Sequence, residues 1–496
     1  MPRGYSSGMK KSWPEVEPES PIPFRQGSNG EFVPPPPSDK DERAESLFRR
    51  TVEERARRLG VSRREFVGSA CGTATALWVI NAVYGCGSDQ NVNPAPGPYG
   101  VDAGDTEDAD AACIKVSGDE FIFDIQTHHV NPMGSWREKS PGWASFFASL
   151  PQGACGETDP VQCFDADHYI DQVFIESDTA VAVLTAVPAA PGANPLEAEE
   201  QAATRAIVDK LAGSQRLVTH GLVLPDLGEA ELDKMQALAE ELQISAWKVY
   251  TPFGGWRLDD EAIGIPFLER ARSLGIKLVC AHKGLPLAGF DPAFASPDDV
   301  GVVAKAYPDL KFLVYHSAFE TEVTEGPYDP VKNVGIDRLI KTVLDHGIGP
   351  AGNVYAELGS TWRYLMTRPD DAAHALGKLL LHLGEDRIVW GTDSIWYGSP
   401  QDQIAAFRTF QIPSAMQDQY GYPALTTGAR AKIFGLNAAE AYGIDPAAVR
   451  CEISKDALAQ AKHARVERPA NTFRRYGPQT RRELFALLRA RGGTPG

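Results

Sequence analysis

Beyond residue 119 the chain alternates short apolar runs with longer stretches of helical periodicity, and it does so eight times. Runs suited to buried strands fall at 121–126, 180–187, 217–224, 244–250, 277–282, 311–316, 354–359 and 387–393. Helical patterns join several of them, clearest over 196–211, 229–242, 260–274, 330–346, 370–383 and 401–410. Short strands followed by crossover helices predict a parallel sheet, and eight units over roughly 290 residues match an α/β fold of the (β/α)8 barrel type in number and size. A doubly wound open sheet is the competing architecture. The first strand is not followed by a Gly-rich phosphate fingerprint, which weakens that alternative.

The flanks have a different texture. Residues 1–40 are rich in proline, including a run at 34–37, and are expected to be disordered. Residues 39–60 carry Ala44, Leu47, Val52, Ala56 and Leu59 at near-helical spacing and predict a charged amphipathic helix. Ser62-Arg63-Arg64-Glu65-Phe66-Val67 then resembles the twin-arginine export signal, and it runs into a mildly apolar, uncharged stretch over 67–85. A true membrane helix is the alternative, although the stretch barely reaches the ~18 to 20 residues a span needs. Val83-Tyr84-Gly85-Cys86 resembles a lipobox, which implies a lipid anchor at Cys86. The Pro/Gly/Asp-rich residues 87–118 suit a flexible tether.

The expected organisation is an N-terminal region over 1–60, a signal over 61–86, a tether over 87–118, the barrel over 119–445 and a basic C-terminal extension over 446–496. The implied location is outside the cytoplasm, periplasmic or held at the membrane through Cys86 alone. Outside the cytoplasm a disulfide between Cys155 and Cys163 is expected, whereas Cys280 sits in a strand pattern and reads as a buried apolar residue.

With 496 residues, 43% of them hydrophobic and 23% charged, the chain has the composition of a globular protein. Its net charge of -17 argues against a nucleic-acid-binding body. The seven cysteines show no zinc-finger spacing. Residues 461–496 hold nine Lys or Arg against two Glu, a tail able to wrap the acidic body or touch anionic lipid.

Chemistry concentrates at strand ends. Asp124, Gln126 and His128 share one face of the first strand, because strand side chains alternate with period two. His282 and His316 end the fifth and sixth, and Asp393 the eighth. A barrel gathers such ends into one ring, so residues far apart in sequence meet. His129 falls on the opposite face and reads as structural. The long insertion over 129–179, with Trp136, Trp143, Phe146 and Phe147, is a candidate lid, an aromatic mini-core, or both.

The stretches FDIQTHH, WKVYTPFGGWRLDD, LVCAHKG, FLVYHSAFE and IVWGTDSIWYGSP together resemble the amidohydrolase superfamily, in the branch that includes aminocarboxymuconate-semialdehyde decarboxylase. That resemblance, over about 121–440, implies one divalent metal, zinc by preference, held by His128, His282 and Asp393, with Gln126 where the family has a histidine. A glutamine carbonyl suits zinc less well than imidazole. An alternative site of Lys248, His282 and His316 would be similar to that of N-acetylglucosamine-6-phosphate deacetylases; otherwise Lys248 would bind a substrate carboxylate. Asp393 would take the proton of a metal-activated water, and His316 would orient the substrate or stabilise an oxyanion. Trp256, Arg257, Trp362, Arg363, Trp396 and Tyr397 would line the mouth, with Arg257 and Trp396 against a small anionic or cyclic substrate.

The implied activity is metal-dependent hydrolysis. Non-oxidative decarboxylation is the second enzymatic reading, and a metal-free binding lipoprotein the non-enzymatic one. Many members of the superfamily pair, which implies a homodimer.

Overall fold

The computed structural model describes residues 19–25, 36–85, 97–155, 157–286, 289–453 and 456–464. Its eight strands are β1 (Ile122–Thr127), β2 (Thr179–Leu184), β3 (Leu217–Leu222), β4 (Ala246–Val249), β5 (Leu278–His282), β6 (Lys311–Tyr315), β7 (Val354–Glu357) and β8 (Ile388–Val389). They are parallel neighbours in sequence order. The ring closes between its ends: the amides of Ile125, Asp393 and Ile395 alternate with the carbonyls of Trp390, Gln126 and His128 at 3.1, 2.9 and 3.2 Å. This is the (β/α)8 barrel, and the sequential strand order removes the open-sheet alternative.

Strand side chains fill the barrel from within, and the outer helices bury its other face. The helix Pro369–His382 shows how sequence sets this packing. Its Leu376, Leu379 and Leu380 are buried, but so is Lys378. The Lys378 Nζ donates to Glu325 at 2.5 Å and to Asp337 at 2.6 Å, so a charge carried into the core is matched on both sides.

The charged helix expected over 39–60 is present as α1 (Asp39–Leu59), and with α2 (Arg63–Val67) and α3 (Ala70–Tyr84) it packs onto the barrel. Every residue from Ala74 to Asn81 in α3 is buried. Ser62 caps α2 in a reciprocal capping box with Glu65. Among the described residues no helix is long and apolar enough to cross a membrane.

Ile22 and Phe24 are also buried, the latter against Phe48, so this part of the proline-rich stretch is packed. Residues 97–116 are no free tether either. The Asn81 amide donates to the Tyr99 carbonyl and accepts its N–H at 2.6 and 2.8 Å, and the Tyr99 ring meets Phe410. The helices Pro446–Ile453 and Ala457–Ala464 dock on the body, where Arg216 pairs with Asp456 at 2.6 Å. Cys86 and the basic residues beyond 464 lie outside the described residues.

Replacing Lys378 by Ala leaves two buried carboxylates uncompensated, and a loss of about 3–5 kcal/mol is expected in urea unfolding. A loss below about 1 kcal/mol would show that the pair is not held as described.

Candidate active site

The expected ring of residues assembles, but as a hydrogen-bonded unit. His128 lies just past β1, His282 ends β5, His316 follows β6, and Asp393 follows β8. His316, Ser360 and Asp393 all adopt left-handed backbone angles, with φ of 64, 49 and 62°. Such angles are costly for residues with a Cβ and cluster where a site fixes them.

Asp393 is the hub. Its Oδ1 accepts from Gln126 Nε2 at 2.9 Å and from His128 Nε2 at 3.0 Å, and its Oδ2 accepts the Ser360 hydroxyl at 2.6 Å. Burial alone would raise its pKa; the hydrogen bonds from His128 and the Ser360 hydroxyl hold it well below the carboxylate range. The other His128 nitrogen, Nδ1, faces the Thr185 carbonyl at 2.8 Å. Both ring nitrogens thus face oxygen atoms, and Trp396 stacks on that ring at 4.9 Å.

Burial leaves His316 and His282 neutral. His316 is pushed down to about 4, chiefly by burial, and donates through Nδ1 to the Gly359 carbonyl at 2.7 Å. His282 is driven well below its ordinary value by burial and by its neighbours His316 and Lys248. Its Nε2 faces the Leu285 carbonyl at 3.2 Å, and its Nδ1 has no partner.

The same arrangement bears on a metal. The two hydrogens of the Gln126 amide face two acceptors, Asp393 Oδ1 and, at 3.5 Å, His316 Nε2. Donors therefore point at the place where a cation would need lone pairs. Among the described residues no three His, Cys, Asp or Glu side chains converge as a metal site. In this arrangement Gln126 turns its N–H groups to Asp393 and His316, while its own Oε1 and the Nδ1 of His282 are buried without a partner.

Beneath the floor, Glu357 is pushed up to about 8 and Lys248 down to about 7, both chiefly by burial. Glu357 accepts the backbone N–H groups of His316 at 2.9 Å and Gly359 at 2.5 Å. A Cβ on Gly391 would fall 1.7 Å from its Oε1, so only glycine lets the strand pass. Lys248 Nζ lies 3.3 Å over the Tyr315 ring and is not among the cavity walls, which corrects its assignment to substrate.

The cavity above is about 60 Å³. Its floor is Gln126, His128, His282, His316, Ser360 and Asp393, and its walls include Trp143, Phe146, Tyr250, Phe290, Tyr364, Trp396 and Tyr397. The 129–179 insertion thus both lines the site and forms the aromatic mini-core that holds it. Arg257 is corrected: its guanidinium forks onto Asp259 at 2.8 and 2.9 Å and does not line the cavity. Trp256 and Trp362 are core residues, and Arg363 lies against the Tyr397 ring. His129 bonds Thr204 outside the ring, as its face predicts. Ser360, Tyr250, Tyr364 and Glu357 escaped the sequence reading, and only their position at the ends of β4 and β7 marked them.

Residues 143–444 match the family described as amidohydrolase. The chain belongs to that family. No curated protein matches it. Similar solved structures include an uncharacterised TIM-barrel protein from Bordetella bronchiseptica, with 15% identity, 67% of this chain and 99% of that one covered, and a TM-score of 0.43. A 5-carboxyvanillate decarboxylase from Sphingomonas paucimobilis matches with 13% identity, coverage of 66% and 100%, and a TM-score of 0.40. A dihydroxybenzoic acid decarboxylase from Polaromonas, solved with manganese, matches with 15% identity, coverage of 66% and 97%, and a TM-score of 0.38.

Glu357 gives a pH test. Between about 4.3 and 8 the unfolded chain has lost this proton and the folded chain keeps it, so stability falls as pH rises through that window. Glu357→Gln should flatten the slope by up to about 1.4 kcal/mol per pH unit in urea unfolding from pH 5 to 8. Parallel slopes for variant and wild type would show that Glu357 is ionised when folded.

Proposed function

We propose that the chain is a non-oxidative decarboxylase of small aromatic acids. The observation that supports this most is the His128–Asp393 pair, an imidazole nitrogen 3.0 Å from a carboxylate at the floor of a cavity walled by aromatic side chains. The flat walls suit a flat ring. The apolar surroundings disfavour a carboxylate more than they disfavour neutral carbon dioxide, which is the direction of the reaction.

The step balances with a single proton. His128, which borders the cavity with Nε2 facing Asp393 and Nδ1 facing the Thr185 carbonyl, is the proton donor to the ring carbon that bears the carboxylate, its Nε2–H turning from Asp393 to the substrate. The electron pair of the breaking C–C bond returns to the ring as carbon dioxide leaves, and the proton stays on carbon. Asp393 remains ionised and holds the imidazole for reprotonation. Ser360, which donates to Asp393 and lies 3.1 Å from the Tyr397 hydroxyl, links that carboxylate to a hydroxyl at the cavity wall.

A hydrolase is the second reading, favoured by one observation: His282 borders the cavity with a neutral, unpartnered Nδ1 able to accept a proton from water.

The test is a panel of hydroxylated benzoates beside aryl esters, lactones and amides, with carbon dioxide release and acid formation measured separately. Carbon dioxide from one or more benzoates is expected, falling about 100-fold or more in His128→Gln. Acid release from esters or amides, with no carbon dioxide, would replace this reading by hydrolysis.

A further inference from the structure

In the insertion that walls the cavity, Cys155 and Cys163 form a disulfide. It joins the short turns Pro151–Ala154 and Pro160–Phe164. Beside it lies His168, whose Nε2 is 3.8 Å from the Cys155 sulfur. The opposite ring nitrogen of His168, Nδ1, is 2.9 Å from Asp165 Oδ1, and the same oxygen accepts the His168 backbone N–H. A sulfur, an imidazole and a carboxylate thus stand in line outside the catalytic floor. His168 and Asp165 keep 28% and 31% of their side-chain surface exposed, and Cys155 is half-buried while Cys163 is buried. One sulfur of the pair is therefore reachable from solvent, and it is the one that faces the imidazole.

We propose that the Cys155–Cys163 disulfide is a thiol–disulfide exchange site, taking an external dithiol and activated by His168 and Asp165. A thiolate of the dithiol attacks the reachable Cys155 sulfur; a mixed disulfide forms, and Cys163 leaves and takes up a proton. The second thiol of the dithiol then displaces Cys155, which departs as a thiolate beside the His168 imidazolium. The protein disulfide gains two electrons, and the dithiol is oxidised to its own disulfide. A cation next to the departing sulfur stabilises the reduced form and makes the bond easier to reduce. Asp165 favours the charged imidazole; its hydrogen bond and charge raise the His168 pKa against the opposing effect of burial, with smaller help from Glu157 and Asp171.

The exchange reaches the catalytic floor through contacts. Phe164, next to Cys163, packs on Trp396 at 5.6 Å, and Trp396 stacks on His128. Phe147 stacks on the same indole at 5.1 Å, and the Gln152 side chain donates to the Cys163 carbonyl at 3.1 Å. Reduction therefore loosens the wall that holds the proton donor. That consequence for turnover rests on the decarboxylase reading; the exchange chemistry does not.

The test uses the full chain, equilibrated in mixtures of reduced and oxidised dithiothreitol, alkylated and read by peptide mass. Cys155 and Cys163 should cycle together. The ratio of reduced to oxidised protein at a fixed mixture should fall about tenfold in His168→Ala, and move in the same direction in Asp165→Asn. Reduction of the wild type should also speed proteolysis within residues 140–165. Equal ratios in wild type and both variants would overturn the role of His168, and unchanged proteolysis of fully reduced protein would overturn the link to the wall. Neither readout uses turnover, so a failure here is distinct from a failure of the decarboxylase reading.

Discussion

A carboxylate buried at the seam of a closed barrel must be met by donors, and the site is built around that demand. Asp393 follows β8, its partners Gln126 and His128 come from β1 and just beyond it, and Ser360 comes from the turn after β7. The closing strand is short, and the pairing of β1 with β2 shifts register between Asp124 and Thr127. Side chains take over where the ladder is irregular. Asp124 accepts the Thr392 N–H at 3.1 Å and the Gln126 N–H at 3.2 Å, so it ties the two ends of the ring directly beneath the Asp393 hub. Removing any one donor would leave part of a buried charge unmatched, which explains why structural and chemical roles coincide here.

The layer below works by the opposite rule. Burial pushes Asp124 up to about 7 and Glu357 up to about 8, and brings Lys248 down to about 7, so these groups sit close to their neutral forms while Asp393 does not. The difference is in the donors. Glu357 has two backbone N–H groups, whereas Asp393 accepts from Gln126, His128 and Ser360 together. Lys248 finds the faces of Tyr315 and Tyr250 in place of a carboxylate. Charge is thereby confined to the layer that borders the cavity, where a low dielectric strengthens its effect on a bound molecule.

Much of this was legible in the chain. Strand positions followed from apolar runs, and the ring of His128, His282, His316 and Asp393 followed from where polar residues end those runs, because closure brings such ends together. What the pattern could not carry was orientation. Gln126 reads equally well as a carbonyl ligand or an N–H donor, and only its neighbours, both acceptors, decide between them. Arg257 lies in the loop that follows β4, where Asp259 two residues on captures its fork. Ser360 is one serine in a loop until a left-handed turn aims it at Asp393. The Gln126 and Ser360 outcomes depend on contacts across the barrel, which a one-dimensional pattern does not contain.

The N-terminal stretch makes the same point for a whole element. An uncharged run over 67–85 after paired arginines has the composition of an export signal and equally that of a core helix, since both require apolar surface and no charge. In the folded chain α3 is buried on all sides along its centre, and its one large polar side chain there, Asn81, is spent on the backbone of Tyr99. Tyr99 in turn packs on Phe410, which follows the helix Gln401–Thr409, so the stretch is continuous with the outer shell of the barrel. A surface helix would show one polar stripe; this one has none, and burial on every face is the arrangement that its uniform composition permits.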